Sequence, residues 1–194
     1  MGNLWSYFSR KQAKPLLILD MNKLLVYRAF APKLQEEFPQ CVSLTDHATL
    51  LGQHWTWSRP GLDTFIDSLF KTYTVAVWSS AWAANVDLLC SHVFGTRRAN
   101  LLFEWDQSWC TKIVPHPDPS ETKPLFAKDL QKVWAAYPQY NDRNTLIVDD
   151  CKHKMQLNPA QCVILAPPWT PYASSSSLYN LEQLISYAHI RRTM

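Results

Sequence analysis

Leu16-Leu17-Ile18-Leu19-Asp20-Met21-Asn22-Lys23-Leu24-Leu25-Val26-Tyr27-Arg28 is the stretch on which the fold turns. Four apolar residues in a row stop at a carboxylate. Such a run, apolar without alternation, is the pattern of a strand covered on both faces, as in a parallel sheet. Two more runs repeat it downstream: Tyr73 to Trp78 ends at Ser79-Ser80, and Asn144 to Val148 ends at Asp149-Asp150. Cys162 to Leu165, ahead of Pro167-Pro168, predicts a further strand, and Leu101 to Phe103 a short one.

Helical stripes lie between these runs. After the breaker Arg59-Pro60-Gly61, Leu62, Phe65, Ile66, Leu69 and Phe70 recur at helical spacing. A helix is predicted from Trp82 to His92. Phe126, Leu130, Val133, Trp134 and Tyr137 predict another, opened by Pro124, and Leu178, Leu181, Leu184, Ile185 and Ala188 a closing one. Val114 to Glu121, with three prolines, reads as a loop, and Ser174 to Ser177 as a linker. Strands alternating with amphipathic helices imply βαβ units and a mostly parallel sheet. In such sheets ligands gather at the carboxyl ends of the strands. Three of those ends carry Asp20, Ser79 and Asp149-Asp150.

Composition narrows the chemistry. The chain has 194 residues, 47% hydrophobic and 18% charged, which suits one folded domain and excludes wholesale disorder. Nineteen Lys and Arg against sixteen Asp and Glu leave a net charge of +3, too small to argue for nucleic acid. Only four glycines occur, with neither GxxxxGK[ST] nor GxGxxG, so phosphate would have to be bound without a glycine-rich loop. Five scattered cysteines (Cys41, Cys90, Cys110, Cys151 and Cys162), none in CxxC, suit reduced thiols in a cytosolic protein better than disulfides or zinc. Trp55 and Trp57 could stack on bases, but no basic stripe surrounds them; Trp57 is expected to pack beneath the helix that follows it.

Residues 1–13 read as an N-terminal arm ahead of a single domain over 14–194. The start, Met1-Gly2-Asn3-Leu4-Trp5-Ser6, matches the pattern for N-myristoylation of Gly2. Trp5, Tyr7, Phe8, Arg10, Lys11 and Lys14 could supply the second signal that a single acyl chain needs for peripheral membrane attachment. A solvated arm is the plainer reading.

Taken together these motifs resemble the haloacid dehalogenase superfamily. More narrowly, they resemble the branch of small CTD phosphatases and nuclear LIM-interactor-interacting factors, whose first signature is D-x-D-x-[TV]-L-V. Arg59-Pro60-Gly61-Leu62 is similar to that family's helix start and Val77 to Ala81 to its second motif. Leu101 to Thr111 resembles an insert segment, Lys123 to Trp134 holds the third-motif lysine, and Thr145 to Pro159 resembles the fourth motif. The resemblance spans about residues 14 to 190 and implies a Rossmann-like α/β three-layer sandwich, with a mostly parallel central sheet and a small insert or flap. It also implies phosphoryl transfer. Asp20 would be the nucleophile, forming an aspartyl phosphate. Asp20, the backbone carbonyl of Asn22, Asp149 and Asp150 would hold Mg²⁺. Ser79 and Lys128 would bind phosphate, with Lys123 as the reserve cation. Taken singly, Asp20 and Asp149 read more readily as strand-end carboxylates capping turns, Ser79 as a helix N-cap and Lys128 as a solvated helix residue; the ordered set of motifs reverses that preference.

The second acid of the first signature is Asn22, and the usual Thr or Val two residues on is Leu24. An amide cannot shuttle protons at neutral pH, and general acid–base catalysis contributes about 10²–10⁴-fold. Metal and phosphate binding are therefore expected to persist while turnover is crippled. Three readings follow: a phosphatase-like protein binding Mg²⁺ and a phosphorylated protein or protein partner; an active Mg²⁺-dependent protein serine/threonine phosphatase with an atypical acid; or a scaffold resembling an import receptor. No Arg-rich presequence or membrane span supports the third in its mitochondrial form. The expected location is cytoplasmic or nuclear. Substrate identity, oligomeric state and the role of Ala31 to His54 carry no sequence signal.

Overall fold

The computed structural model describes residues 14–120, 124–173 and 178–193. Gly2 with the rest of the N-terminal arm, and Lys123, lie outside the described residues. The central sheet is built from β1 (Leu16–Leu19), β5 (Thr74–Trp78), β6 (Glu104–Trp105), β9 (Thr145–Asp149) and β10 (Val163–Leu165). Its order is β10-β9-β1-β5-β6, every pair parallel. Leu17 and Leu19 face one core with Val75, Val77, Leu146 and Val148, while Leu16 and Ile18 face another with Ala76, Trp78 and Ile147. This two-sided burial is why the run from 16 to 19 shows no alternation.

On the first face lie α2 (Leu62–Thr72), α3 (Ala83–Phe94) and α5 (Leu178–Thr193). Gly61 enters α2 at φ 81°, a left-handed conformation that glycine adopts without a Cβ penalty. On the opposite face lies α4 (Leu130–Ala136). Helices on both sides of a parallel sheet make the three-layer α/β architecture.

The segment after β1 builds the flap. An antiparallel sheet pairs β2 (Val26–Phe30) with β4 (His54–Ser58), and β4 with β3 (Thr49–Leu51); the short helix α1 (Leu34–Glu37) and a 3-10 stretch, Pro39–His47, connect β2 to β3. Tyr27, Ala29, Leu34, Cys41, Trp57 and Trp169 form its own small core. A two-stranded ribbon of β7 (Thr111–Ile113) and β8 (Leu125–Ala127) lies apart from both sheets.

Three expectations need correction. Phe126 is in β8, not in a helix: Asp129 accepts a hydrogen bond from the Gln131 N–H and caps α4, which cannot begin before Leu130. Trp57 packs in the flap core and not under α2, because alternation along β4 turns it toward Tyr27, and its Nε1 donates to the Leu44 carbonyl at 2.8 Å. The strand expected at Leu101 to Phe103 falls at Glu104–Trp105, although the Leu102 N–H already donates to Val75 and the Phe103 carbonyl accepts from Val77. All five cysteines are free thiols. Among the described residues no helix is long and apolar enough to cross a membrane.

Candidate phosphoryl site

The order β9-β1-β5 sets three strand ends side by side, and the register aligns Leu19 with both Val77 and Val148. Asp20, Asp149 and Ser79 therefore emerge at one edge, neighbouring strands being about 4.8 Å apart. All three are buried. Asp20 is tied to the sheet by its N–H, which donates to the Val148 carbonyl at 2.9 Å, and Ser79 by its N–H to Trp105 at 2.9 Å.

Lys128 completes the group. It follows β8 directly, is fully buried, and its Nζ donates to Asp20 Oδ1 at 2.8 Å and to Asp149 Oδ2 at 2.5 Å. Burial alone would lower its pKa, but Asp149 and Asp20 outweigh that and raise it. Burial likewise works to raise the Asp149 carboxyl, yet Lys128 and Lys154 hold it below the usual carboxylate range. Asp150 differs: burial pushes its carboxyl up to about 6, Asp20 and Asp149 adding to the rise and Lys154 opposing it. Oxygens of Asp20, Asp149 and Asp150 lie within 4.8 Å of one another. Against these three carboxylates stand Lys128 and Lys154, the latter 3.8 Å from Asp149 Oδ1, so one negative charge is uncompensated.

Asn22 sits two residues beyond Asp20. Its Oδ1 accepts the Arg28 N–H at 3.1 Å, so the amide is engaged in closing the turn into the flap. Ser79 Oγ accepts the Ala81 N–H at 3.2 Å, which makes it a turn residue; the N-cap of α3 is Trp82. Beside this turn a cavity of about 510 Å³ opens, lined by Trp82, Asp106, Gln107, Cys110 and Phe126 among others.

Every sequence-predicted site residue that is described comes to this edge of the sheet. Three contributors were missed. Lys154 is the second cation, hidden in Lys152-His153-Lys154, where no spacing marks one lysine over the other. Asn158 clamps Lys128: its Nδ2 donates to the Lys128 carbonyl at 2.7 Å while its Oδ1 accepts the Leu130 N–H at 2.8 Å. The pair Asn158-Pro159 closing the fourth motif was the available signal. Arg28 brings its main-chain N–H to Asn22 and its guanidinium to Asn85, visible in sequence only as a basic residue on a strand.

A family model described as NLI interacting factor-like phosphatase matches residues 15–193. A ubiquitin-like domain-containing CTD phosphatase 1 of Drosophila melanogaster is 26% identical over 161 residues, covering 81% of this chain and 42% of its own. A ubiquitin-like domain-containing CTD phosphatase of Arabidopsis thaliana is 23% identical over 183 residues, covering 91% and 46%. This chain spans about half the length of the curated relatives it matches. The solved structure of Fcp1, an essential RNA polymerase II CTD phosphatase, shares the fold with a TM-score of 0.58 at 12% identity, over 95% of this chain and 51% of that one. Fission yeast Fcp1 bound to beryllium fluoride gives 0.56 at 11% identity, over 95% and 53%.

Proposed function

Because this chain belongs to the NLI interacting factor-like phosphatase family, we propose that it binds Mg²⁺ and a phosphorylated protein or protein partner through a retained phosphoryl site whose hydrolytic turnover is weak. The observation that carries this reading is the contrast between two neighbours. Asp20 is embedded with Asp149, Asp150 and Lys128, whereas the proton-shuttle position beside it holds Asn22, its amide oxygen bonded to the flap.

The donor set fits magnesium. Carboxylate oxygens suit this hard cation, the cluster carries a net negative charge, and Asp20 Oδ2 is buried with no hydrogen-bond partner among the described residues. Asp20, Asp149 and Asp150 would hold the ion, with the Asn22 carbonyl as the expected fourth protein ligand. Bound there, Mg²⁺ supplies positive charge that lets an anionic carboxylate approach an anionic phosphate.

The residues of the chain do the rest. Lys128, fixed by two carboxylates and by Asn158, presents a cation whose position is set before any ligand arrives. Ser79 offers a hydroxyl on the adjacent strand end. In transfer, an Asp20 oxygen forms the new bond to phosphorus while the bond to the leaving oxygen breaks. An alkoxide leaving group needs a proton at that moment, and Asn22 has none to give. An activated leaving group does not need it, so Asp20 can be phosphorylated by such a donor, and water then removes the phosphoryl group slowly.

A second reading, an active Mg²⁺-dependent protein serine/threonine phosphatase, is favoured by one observation: the Asp150 carboxylate lies within 4.8 Å of those of Asp20 and Asp149 and is a candidate shuttle. Kinetics on a phosphoserine peptide with Mg²⁺ or chelator separate the two. Weak turnover that rises in Asn22→Asp supports the binding reading; fast wild-type turnover lost in Asp150→Asn supports the enzyme. Residence in the cytoplasm or nucleus, with peripheral membrane attachment where Gly2 is acylated, belongs to the same proposal. Intact-mass measurement after eukaryotic expression tests the acylation, and an unmodified Gly2 beside an acylated control ends it.

A further inference from the structure

The flap turns one face toward α3. In the β2–β4 register Arg28 stands opposite Thr56, and Phe30 opposite His54; alternate residues of a strand share a face. Arg28 Nη2 donates to Asn85 Oδ1 at 3.0 Å, and Ser58 Oγ meets His92 Nε2 at 2.9 Å, so this face looks onto the helix. Phe30 and His54 are in ring contact, 5.4 Å between centroids.

Two nitrogens here are left over. Arg28 Nε and His54 Nδ1 are both buried without a hydrogen-bond partner among the described residues, although each side chain keeps part of its surface in solvent. Arg28 makes no ion pair among the described residues, Asn85 being a neutral partner, and burial alone pulls its guanidinium pKa down. A cation drawn half out of water with no counter-charge is costly, and an anionic oxygen group reached by the guanidinium fork would relieve it. The place is next to the phosphoryl site. The Arg28 main-chain N–H bonds Asn22 Oδ1, its guanidinium reaches Asn85 in the first turn of α3, and that helix's N-cap Trp82 has no side-chain cap and follows Ser79 by three residues.

We propose that Arg28, His54 and Asn85 form a subsite for a second anionic group, a carboxylate or a second phosphate, carried by the same ligand that places its phosphate at Asp20 and Lys128. This rests on the phosphoprotein reading above and adds a preference to it: phosphorylated sites flanked by acid. Lys128 and Ser79 serve the first phosphate, which leaves the Arg28 fork for the neighbouring group.

The test is fluorescence anisotropy of the full chain in Mg²⁺ with phosphoserine peptides. A parent peptide has neutral flanks; one series carries Asp at each of three positions on either side, and a parallel series carries a second phosphoserine there. The readout is the ratio of acidic-flank to neutral-flank affinity within each protein, so a general loss of binding cancels. At one position or more the wild type gains about tenfold, the size of one charge-assisted hydrogen bond. Arg28→Gln brings the gain below twofold, and Arg28→Lys keeps part of it. Should Arg28→Gln fail to fold, His54→Gln and Asn85→Ala report the same loss. A gain in one series alone says which anion the subsite takes. No gain at any position, or an equal gain in Arg28→Gln, overturns the subsite while leaving the phosphoryl site standing. Failure of the parent phosphopeptide itself to bind overturns both.

Discussion

Lys128 and Asp20 are 108 residues apart in sequence, yet Lys128 Nζ donates to Asp20 Oδ1 at 2.8 Å with both side chains out of solvent. Lys128 also holds Asp149, so one ammonium group is shared by two buried carboxylates. Removing a partner from a buried ion pair leaves charge stranded and costs about 3–5 kcal/mol. Lys128→Met should therefore lose roughly that much stability in urea melts run in chelator. Adding Mg²⁺ should return part of the loss by neutralising the same carboxylates. A variant as stable as wild type in chelator would mean that this triad contributes nothing to folding.

The Asn22 amide is the feature that separates binding from turnover. Asn22→Asp keeps the side-chain oxygen that accepts the Arg28 N–H and adds a group that can exchange a proton. Its kcat on a phosphoserine peptide should rise by about 10²-fold or more, within the range that general acid–base catalysis supplies. Equal kcat in the two proteins would show that proton transfer is not what limits hydrolysis.

Beryllofluoride with Mg²⁺ resembles a phosphoryl group on a carboxylate, and a ligand at 100 times its Kd adds about 2.7 kcal/mol to the folded state. Differential scanning fluorimetry should show a clear rise in Tm that chelator removes and Asp20→Asn abolishes. An unmoved Tm at saturating ligand would argue that the buried carboxylates serve the fold alone.

How far these residues could be read in advance depended on what each one needs. Asp20, Ser79 and Asp149 end strands, and a strand that is apolar on both faces announces its own end, so their convergence was visible as soon as the sheet was parallel. Lys128 could be assigned only by resemblance, and the helix expected over it starts later: Phe126 and Leu130 keep helical spacing by coincidence, while Asp129 decides where α4 begins. Lys154 and Asn158 act from a 3-10 turn and a loop whose backbone path no periodicity describes. Trp57 misled because a tryptophan before a helix start says nothing about which of two sheets its own strand joins.

Acid should loosen the contact between flap and α3. Burial lowers the pKa of His92 and, with Arg28 adding to it, that of His54. Each is thus favoured neutral in the fold, and the unfolded chain takes up protons first. Their contribution is present above the unfolded value of about 6.5 and is lost as pH falls through the lower folded value. Asp150, whose carboxyl stands at about 6 in the fold, works the other way over the same range, so the readout is a difference: in chemical denaturation in chelator between pH 7.5 and 5, wild type should lose stability toward acid relative to His54→Gln/His92→Gln. A slope unchanged in that double variant would mean that neither imidazole carries the pH dependence of the flap.

Asn158 offers the sharpest check on whether Lys128 is positioned or merely buried. Its amide works in both directions: Oδ1 accepts from Leu130 N–H, while Nδ2 donates to the carbonyls of Lys128 and Met155 at 2.7 and 3.1 Å. Asn158→Ala deletes all three bonds and should cost about 1–3 kcal/mol. Asn158→Asp keeps the acceptor but sets a carboxylate against two carbonyl oxygens, so it should be the less stable of the two despite its nearly identical shape. Both should weaken Mg²⁺-dependent beryllofluoride binding, since the Lys128 backbone would lose the bond that fixes where its side chain starts. Calorimetric titration at a temperature where both variants remain folded reads this directly, and wild-type affinity in Asn158→Ala would mean that the two carboxylates alone suffice to hold the lysine in place.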